Sequence, residues 1–360
     1  MAARMPAIEI NRRSATPIYA QIAEQLRRQI ARGRLRPGDP LPTNEQFEAQ
    51  LQVARKTVQQ AVATLAREQY VERRRGKGTF VKGAPTQGVV GIVTSFDVIN
   101  PDSPPYFQGM ARRFQRLLAK EDRNHRFYLT TGDADSCNIA MAALMDDLER
   151  QGLAGLLLLD HKPYMDEAIK RATRLHVPIV SVAASYSGAP SLLPDSMAYL
   201  RMAAEYLAQH NRKRVAVIYT KPNREYMPSA AKLSKLIHAA GCETRREWLI
   251  DDAPYEPLGC SALARLPLDK LDGLIVGDDV LALGVDRYLC EAGVTSSSDL
   301  LVTTWWNQGL GLSLRLPFVR IGWDVDQMAA EAIDMLDQVM TGRRLHAPRR
   351  LAEPRLLGPA

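Results

Sequence analysis

From Ile18 onward the apolar residues Ile18, Ile22, Leu26 and Ile30 recur every four positions, which is the stripe of an amphipathic helix. Thr16-Pro17 supplies its start, with a side-chain acceptor at the cap and a proline at the first helical position. Gly33, followed by the turn LRPGD, supplies its end. A second start stands at Thr43, where Thr43-Asn44-Glu45-Gln46 fits a capping box with Gln46 reaching back. Phe47 and Leu51 are the apolar positions of that short helix. After a break at Gln52-Val53 the spacing predicts a third helix from Arg55 to Glu68. It buries Val58, Ala61, Val62 and Leu65 and turns Arg55, Lys56, Thr57, Gln59 and Gln60 outward. The period then changes from four to two: YVERRRGKGTFV reads as two short strands around a Gly76-Lys77-Gly78 turn.

The segment from Gly83 to Gly88 is a short Gly/Pro break and reads as a linker between a head (1–82) and a body (89–360). In the body, strand-like runs occur at 89–96, 126–132, 153–160, 178–184, 214–220, 248–251, 273–279 and 300–306. Helical stretches such as YFQGMARRFQRLLAKED and MAYLRMAAEYLAQHN lie between most of them. This alternation predicts parallel sheets with helices on both faces. The length suits two doubly wound lobes, which place ligands at the carboxyl ends of strands in the crevice between them.

Charge divides the chain at the same boundary. Residues 1–83 carry 16 Lys and Arg against 7 Asp and Glu, a net of +9, whereas the remaining 277 residues carry 31 against 33. All the excess positive charge of a 360-residue chain with net +7 therefore lies in its first quarter, as expected of a head that binds a polyanion through counterion release. Cys137, Cys242, Cys260 and Cys290 show no CxxC and no His-paired spacing, so each is expected to pack as a small buried apolar residue, with no disulfide framework and no metal site. The first residues lack a continuous apolar stretch of the secretory type, and the apolar run at 153–159 is too short to span a bilayer. A cytoplasmic protein without membrane association is the expectation.

The outward face of the third helix carries suitable chemistry. Arg bridges guanine O6 and N7, Gln pairs with adenine, and Thr reaches a phosphate or a thymine methyl. Arg73, Arg74, Arg75 and Lys77 line the hairpin, whose tip can cross a backbone or enter a minor groove. With Pro17-Ile18-Tyr19, Pro37-Gly38-Asp39, Leu41-Pro42, Arg55, Thr57-Val58, Ala61, Leu65 and the stretch Gly76 to Val81 in place, this part resembles the winged helix-turn-helix of the GntR family. The resemblance implies that Arg55 and Thr57 contact double-stranded DNA in the major groove, that Gly78 lets the wing approach closely, and that Thr43, Lys56, Gln59, Gln60, Arg74, Arg75 and Lys77 belong to the same contact set. Two departures bear on base preference: the usual serine before the recognition arginine is Ala54, and the second family arginine is Gln59.

The body resembles the effector domain of LacI/GalR regulators, which has the fold of periplasmic sugar-binding proteins. The echoes are Asp195 before a helix, His210 to Ala216, Gly277-Asp278-Asp279 running to Gly284, and Ala292-Gly293-Val294 before Asp299-Leu300. The fold class implied is an α+β winged helix-turn-helix followed by an α/β two-lobed periplasmic-binding-protein-like domain, in the arrangement of arabinose-responsive repressors. Carboxylates and amides at strand ends with an aromatic ring suit a sugar, so Asp97, Asp160, Asp278, Trp306 and Asn307 are ligand-binding candidates, with Asp324 a further one, and the resemblance adds Arg224 as the nearest counterpart of the family's Arg-x-x-Gly-Phe arginine. Asp278 and Asp279 equally suit a helix cap and first-turn acid. Trp305 and Trp306 alternate in direction on a strand, which places one in the core and the other near the cleft. The family's Gly-aromatic-Asp-Asp is Thr304-Trp305-Trp306-Asn307 here. The resemblance implies a homodimeric repressor that releases its operator when a carbohydrate-like effector binds, with no cofactor. Two alternatives stand beside it: a constitutive repressor whose cleft has degenerated, and a regulator with an enzyme-like domain. The second would need a lysine in a pyridoxal phosphate setting, and no lysine here has one, nor does any GxSxG, Walker loop or HExxH occur.

Overall fold

The computed structural model describes residues 6–14, 16–31, 34–68, 70–82, 88–100, 103–130, 134–150, 152–182, 186, 188–220, 227–254, 261–293, 300–343, 345 and 347–359. Contacts divide the chain into two compact units, one of residues 1–97, 114–191 and 330–349, the other of 98–113, 192–329 and 350–360.

The head contains α1 (Ile18–Ala31), α2 (Asn44–Leu51) and α3 (Arg55–Arg67), then the antiparallel pair β1 (Val71–Arg74) and β2 (Gly78–Val81). Its core contains Ile22, Leu26, Ile30, Phe47, Leu51, Val58, Ala61, Val62 and Leu65 of the predicted stripes, with Val71 and Val81 from the hairpin; Ile18 is only partly buried against it, and Ala23, Leu35, Leu41 and Val53 join it. The capping box at Thr43 forms in both directions, with the Gln46 amide donating to Thr43 Oγ1 at 3.3 Å and the Thr43 amide to Gln46 Oε1 at 2.8 Å. Gln52 then takes a left-handed conformation (φ 51°), which turns the chain into α3. The first helix caps one residue later than expected: the Pro17 carbonyl accepts from the amides of Ala20 and Gln21, while the Thr16 carbonyl takes the Gln21 side chain. Gly33, expected to end it, lies outside the described residues; the Arg34 and Leu35 amides close the last turn on the Gln29 carbonyl.

An element with no signal of its own in the apolar pattern precedes α1. Gln21, Gln25 and Gln29, four apart on one face, hold the extended segment 7–11: the Asn11 and Glu9 amides donate to Gln21 and Gln25, and Gln29 donates to the Ala7 carbonyl. Ile8 and Ile10 pack on the core beside them. Glutamines at that spacing look like a solvated helix face until the segment that covers them is known.

The next elements are β3 (Val89–Thr94), α4 (Pro105–Lys120), β4 (His125–Leu129), α5 (Ala134–Glu149), β5 (Leu153–Leu158), α6 (Asp166–Arg174), β6 (Ile179–Val182) and β7 (Ser191–Pro194). They are followed by α7 (Ser196–Gln209), β8 (Val215–Thr220), α8 (Ala230–Ala239), β9 (Leu249–Ala253), β10 (Gly273–Val276), α9 (Asp279–Glu291), β11 (Leu301–Gln308), β12 (Val319–Asp324), α10 (Val325–Met340), β13 (Arg349–Ala352) and β14 (Arg355–Pro359). One six-stranded sheet has the order β13-β7-β6-β5-β3-β4 and the other β14-β12-β11-β10-β8-β9. Strands β6, β5, β3 and β4 are mutually parallel, as are β12, β11, β10, β8 and β9, and β14 closes the second sheet antiparallel. Each of the eight apolar runs forms a strand. Strands β7, β12, β13 and β14 lie outside those runs, because Pro194, Arg320 with Gly322, and the arginines of the last two interrupt the apolar signal.

The first sheet packs α5 and α6 through Leu144, Leu148, Ile169 and Ala172 onto Val93, Leu156 and Leu158, and the second packs Leu281, Val285 and Leu289 of α9 onto Ile218, Leu274 and Val302. Cys137 and Cys242 are buried as expected, Cys290 is only half-buried because it lies near the end of α9, and Cys260 lies outside the described residues. No helix among the described residues is long and apolar enough to cross a membrane.

Candidate nucleic-acid interface and strand-end sites

Helix α3 places its buried stripe against α1 and α2, so its first turn is presented outward by packing alone. Arg55, Lys56, Gln59 and Gln60 are exposed and Thr57 is half-exposed. Ala54 caps the helix with no side-chain hydrogen bond, so the amides of the first turn are not covered by a local hydroxyl. A helix N-terminus with no side-chain cap and with exposed cations is suited to phosphate and base edges. Glu45 of α2, which no motif in the sequence marks out, forms an ion pair with Arg55 at 2.7 Å (Oε1 to Nη2). Its carboxyl is held below its usual range by the backbone amide at the helix start, by the Thr43 hydroxyl and by the Arg55 guanidinium.

In the hairpin the turn falls at Arg75-Gly76-Lys77, with Gly76 and Gly78 both at positive φ, where a side chain would be strained. Gly78 begins β2, one residue further into the strand than expected. No atom of the described residues lies within 4 Å of a Cβ built on Gly78, so they leave the tip open on that side. Arg74 stacks 4.7 Å over the Phe80 ring and pairs with Glu72, because Glu72 and Phe80 are cross-strand partners on its face. Arg75 and Lys77 are exposed at the turn. Thr43 is exposed, and its hydroxyl is taken up by the capping box.

The candidates of the first sheet follow the carboxyl ends of β3 and β5. Asp160 follows β5, is 6 % exposed, and accepts from the amide of Ser95 at 2.7 Å and from its hydroxyl. Asp97 is half-buried two residues on from Ser95. Beside them stand groups the sequence had not suggested. His161 Nε2 lies 2.7 Å from Asp166 with its ring 5.1 Å from Tyr186, and the Tyr164 hydroxyl lies 2.9 Å from Thr130 Oγ1. Burial pushes the Tyr164 hydroxyl up to about 12, so it is neutral and able to donate. The usable signal was Asp160-His161 directly after a continuous apolar strand.

In the second sheet the two acids take the cap and first-turn places their order suggested, so that Asp278, put forward as a ligand contact, is engaged by the helix. Asp278 caps α9, accepting from the amides of Val280 and Leu281 at 2.9 and 3.0 Å. Asp279 is 3 % exposed and accepts from Asn307 Nδ2 at 3.0 Å. Burial and the neighbouring charge of Asp278 push its carboxyl up to about 7. Asn307 is 5 % exposed, with Oδ1 buried and without a hydrogen-bond partner among the described residues. Trp306 is buried, its ring 5.9 Å from the Arg320 guanidinium. Trp305 is the half-buried member of the pair and packs edge-on to Tyr199 and against Trp323. Asp324 caps α10 through the amides of Asp326 and Gln327. Arg224 lies outside the described residues.

Comparison with known proteins divides at the same boundary. Residues 18–81 match the family "Bacterial regulatory proteins, gntR family", and residues 204–357 match "Periplasmic binding protein-like domain". The chain is 44 % identical over 81 residues to the mannosyl-D-glycerate transport/metabolism system repressor MngR of Escherichia coli, covering 22 % of this chain and 34 % of that protein. It is 38 % identical over 88 residues to the HTH-type transcriptional repressor YtrA of Bacillus subtilis, covering 24 % of this chain and 68 % of YtrA. Over nearly the full length it is 21 % identical to the arabinose metabolism transcriptional repressor of Geobacillus stearothermophilus, with 91 % and 92 % of the two chains covered. Of MngR and of the repressor NagR of B. subtilis, the chain spans only about a third of the length. Its fold is similar to that of the transcriptional regulator CelR in a cellobiose complex (TM-score 0.58, 18 % identity, covering 88 % of this chain and 99 % of that one).

Proposed function

Because the chain belongs to the GntR family of bacterial regulatory proteins and carries a periplasmic binding protein-like domain behind that head, we propose that it is a homodimeric transcriptional repressor whose hold on operator DNA is relieved by a small carbohydrate-like effector. The observation that carries the DNA half is the first turn of α3, where Arg55, Lys56, Thr57, Gln59 and Gln60 project from a helix whose opposite stripe is core. Arg55 and Gln59 read base edges, while Lys56, Arg75 and Lys77 neutralise phosphates. A two-fold dimer would set two such helices one turn of duplex apart, so the operator is a palindrome.

The effector half rests on strand-end chemistry. Asp160 is held by Ser95, with His161, Tyr164 and Thr130 alongside, which gives the mixture of acceptors and donors that sugar hydroxyls require. The full-length relative is an arabinose metabolism repressor, and the CelR fold was solved with cellobiose, which favours a carbohydrate. A thermal-shift panel of pentoses, hexoses, disaccharides and sugar phosphates tests this directly. A true effector at one hundred times its Kd stabilises by about 2.7 kcal/mol, and the same compound should release the protein from DNA in a mobility-shift assay.

One observation favours a second reading, that of a constitutive repressor. Trp306 and Asn307, put forward as ligand contacts, are 4 % and 5 % exposed and engaged within the fold. If no compound shifts the melting temperature while DNA binding is intact, the constitutive reading replaces the inducible one.

A further inference from the structure

Glu45 is an acid on the outer surface of a head built to meet anions. It is the second residue of α2, its side chain is 61 % exposed, and its Oε1 lies 2.7 Å from Nη2 of Arg55, itself 56 % exposed at the first position of α3. Its carboxylate also meets the backbone amide at the start of α2 and the Thr43 hydroxyl, but neither contact requires Arg55, and the main structural tasks nearby are met by other groups. The start of α2 is capped by Thr43 and Gln46. The acid that ties helices together is Glu68, which pairs with the half-buried Arg27 at 2.8 Å and so joins the end of α3 to α1, while Glu24 pairs with the same Arg27 at 2.6 Å within α1. An ion pair as exposed as Glu45–Arg55 adds little to stability, because both partners are well solvated when apart. A negative charge beside the recognition helix also opposes every phosphate that approaches it.

What the pair does supply is orientation. An unrestrained arginine at a helix start satisfies whichever phosphate is nearest. With one Nη held by a carboxylate, the plane of the guanidinium is fixed, and its remaining N–H groups stay available for a bidentate contact. We propose that Glu45 is a specificity-determining residue of the head, holding Arg55 for a guanine edge and disfavouring binding through phosphates alone. This rests on α3 being the DNA-reading helix.

The test uses the full chain. A site is selected from duplexes with a random core of roughly 20 base pairs, enough for two half-sites. Wild type, Glu45→Gln, Glu45→Asp and Arg55→Ala are then titrated against the selected duplex and against poly(dI-dC). Glu45→Gln should bind poly(dI-dC) about 3- to 10-fold more tightly, with a salt slope steeper by about one ion. Its preference for the selected duplex should fall about 10-fold, with the melting temperature unchanged. Glu45→Asp keeps the charge but shortens the reach, so its preference should fall while binding to poly(dI-dC) stays as in wild type. A Glu45→Gln protein that binds both probes with an unaltered ratio overturns the proposal. If Arg55→Ala binds both probes as wild type does, the assignment of α3 itself fails, and the role of Glu45 with it.

Discussion

At the scale of single residues, the second domain stores a titratable group in an unusual place. Asp279 is almost fully removed from solvent, next to the capping Asp278, and its carboxyl rises from an ordinary 3.8 to about 7. Ionised, it accepts from Asn307 Nδ2; protonated, it can donate to the buried Asn307 Oδ1 after the amide turns over. The folded state therefore keeps a proton that the unfolded chain releases, and its stability is greatest below pH about 4 with respect to this group and falls as pH rises through about 7. Replacing Asp279 by Asn removes the titration. Thermal melts from pH 4 to 8 should show a smaller loss of stability toward high pH in Asp279→Asn than in wild type; equal slopes would mean that Asp279 is ionised throughout. The sequence pointed to this dipeptide at a strand end but put the greater functional weight on Asp278. Which of two adjacent acids faces the helix amides depends on a backbone torsion at residue 278 that composition does not encode.

At the scale of elements, legibility followed the strength of the local pattern. Helices α1, α2 and α3 and the β1–β2 hairpin were readable because a four-residue apolar period, a capping box and a glycine turn all agreed. Strand β12 was not, although it lies inside its sheet between β14 and β11. Arg320 and Gly322 break its apolar run, and both have tertiary reasons to be there. Arg320 sits beside the Trp306 ring, and Gly322 pairs with Trp306 so closely that a Cβ would stand 1.7 Å from its carbonyl oxygen. Neither backbone can give way without loss of the β11–β12 ladder, so Gly322→Ala should cost about 3 kcal/mol, at the upper end for an overpacked core. Urea denaturation would measure it, and a variant as stable as wild type would show that the two strands can separate. Strand β7 and the glutamine clasp on segment 7–11 were illegible for a related reason. Their residues are ordinary until the neighbouring segment is placed.

At the scale of the whole molecule, the division of charge and the division of fold coincide. The basic head folds around one small core, and the body forms two largely parallel sheets with acids and hydroxyls at their carboxyl ends. The existence of the sheets was legible from strand-helix alternation, but their strand orders and edge strands were not, since pairing partners lie far apart in sequence. The candidate DNA surface was legible nearly residue by residue, because one helix and one hairpin carry it; only Glu45, with its reach to Arg55, required coordinates. The decisive measurement is enrichment of sheared genomic DNA of the source bacterium on the purified full-length protein, with Arg55→Ala as the paired sample. A DNA-reading α3 in a two-fold dimer predicts a symmetric motif bearing guanine in each half-site, its halves about one helical turn apart, and loss of that motif in the variant. Enrichment of no motif, or of the same motif by Arg55→Ala, would contradict it.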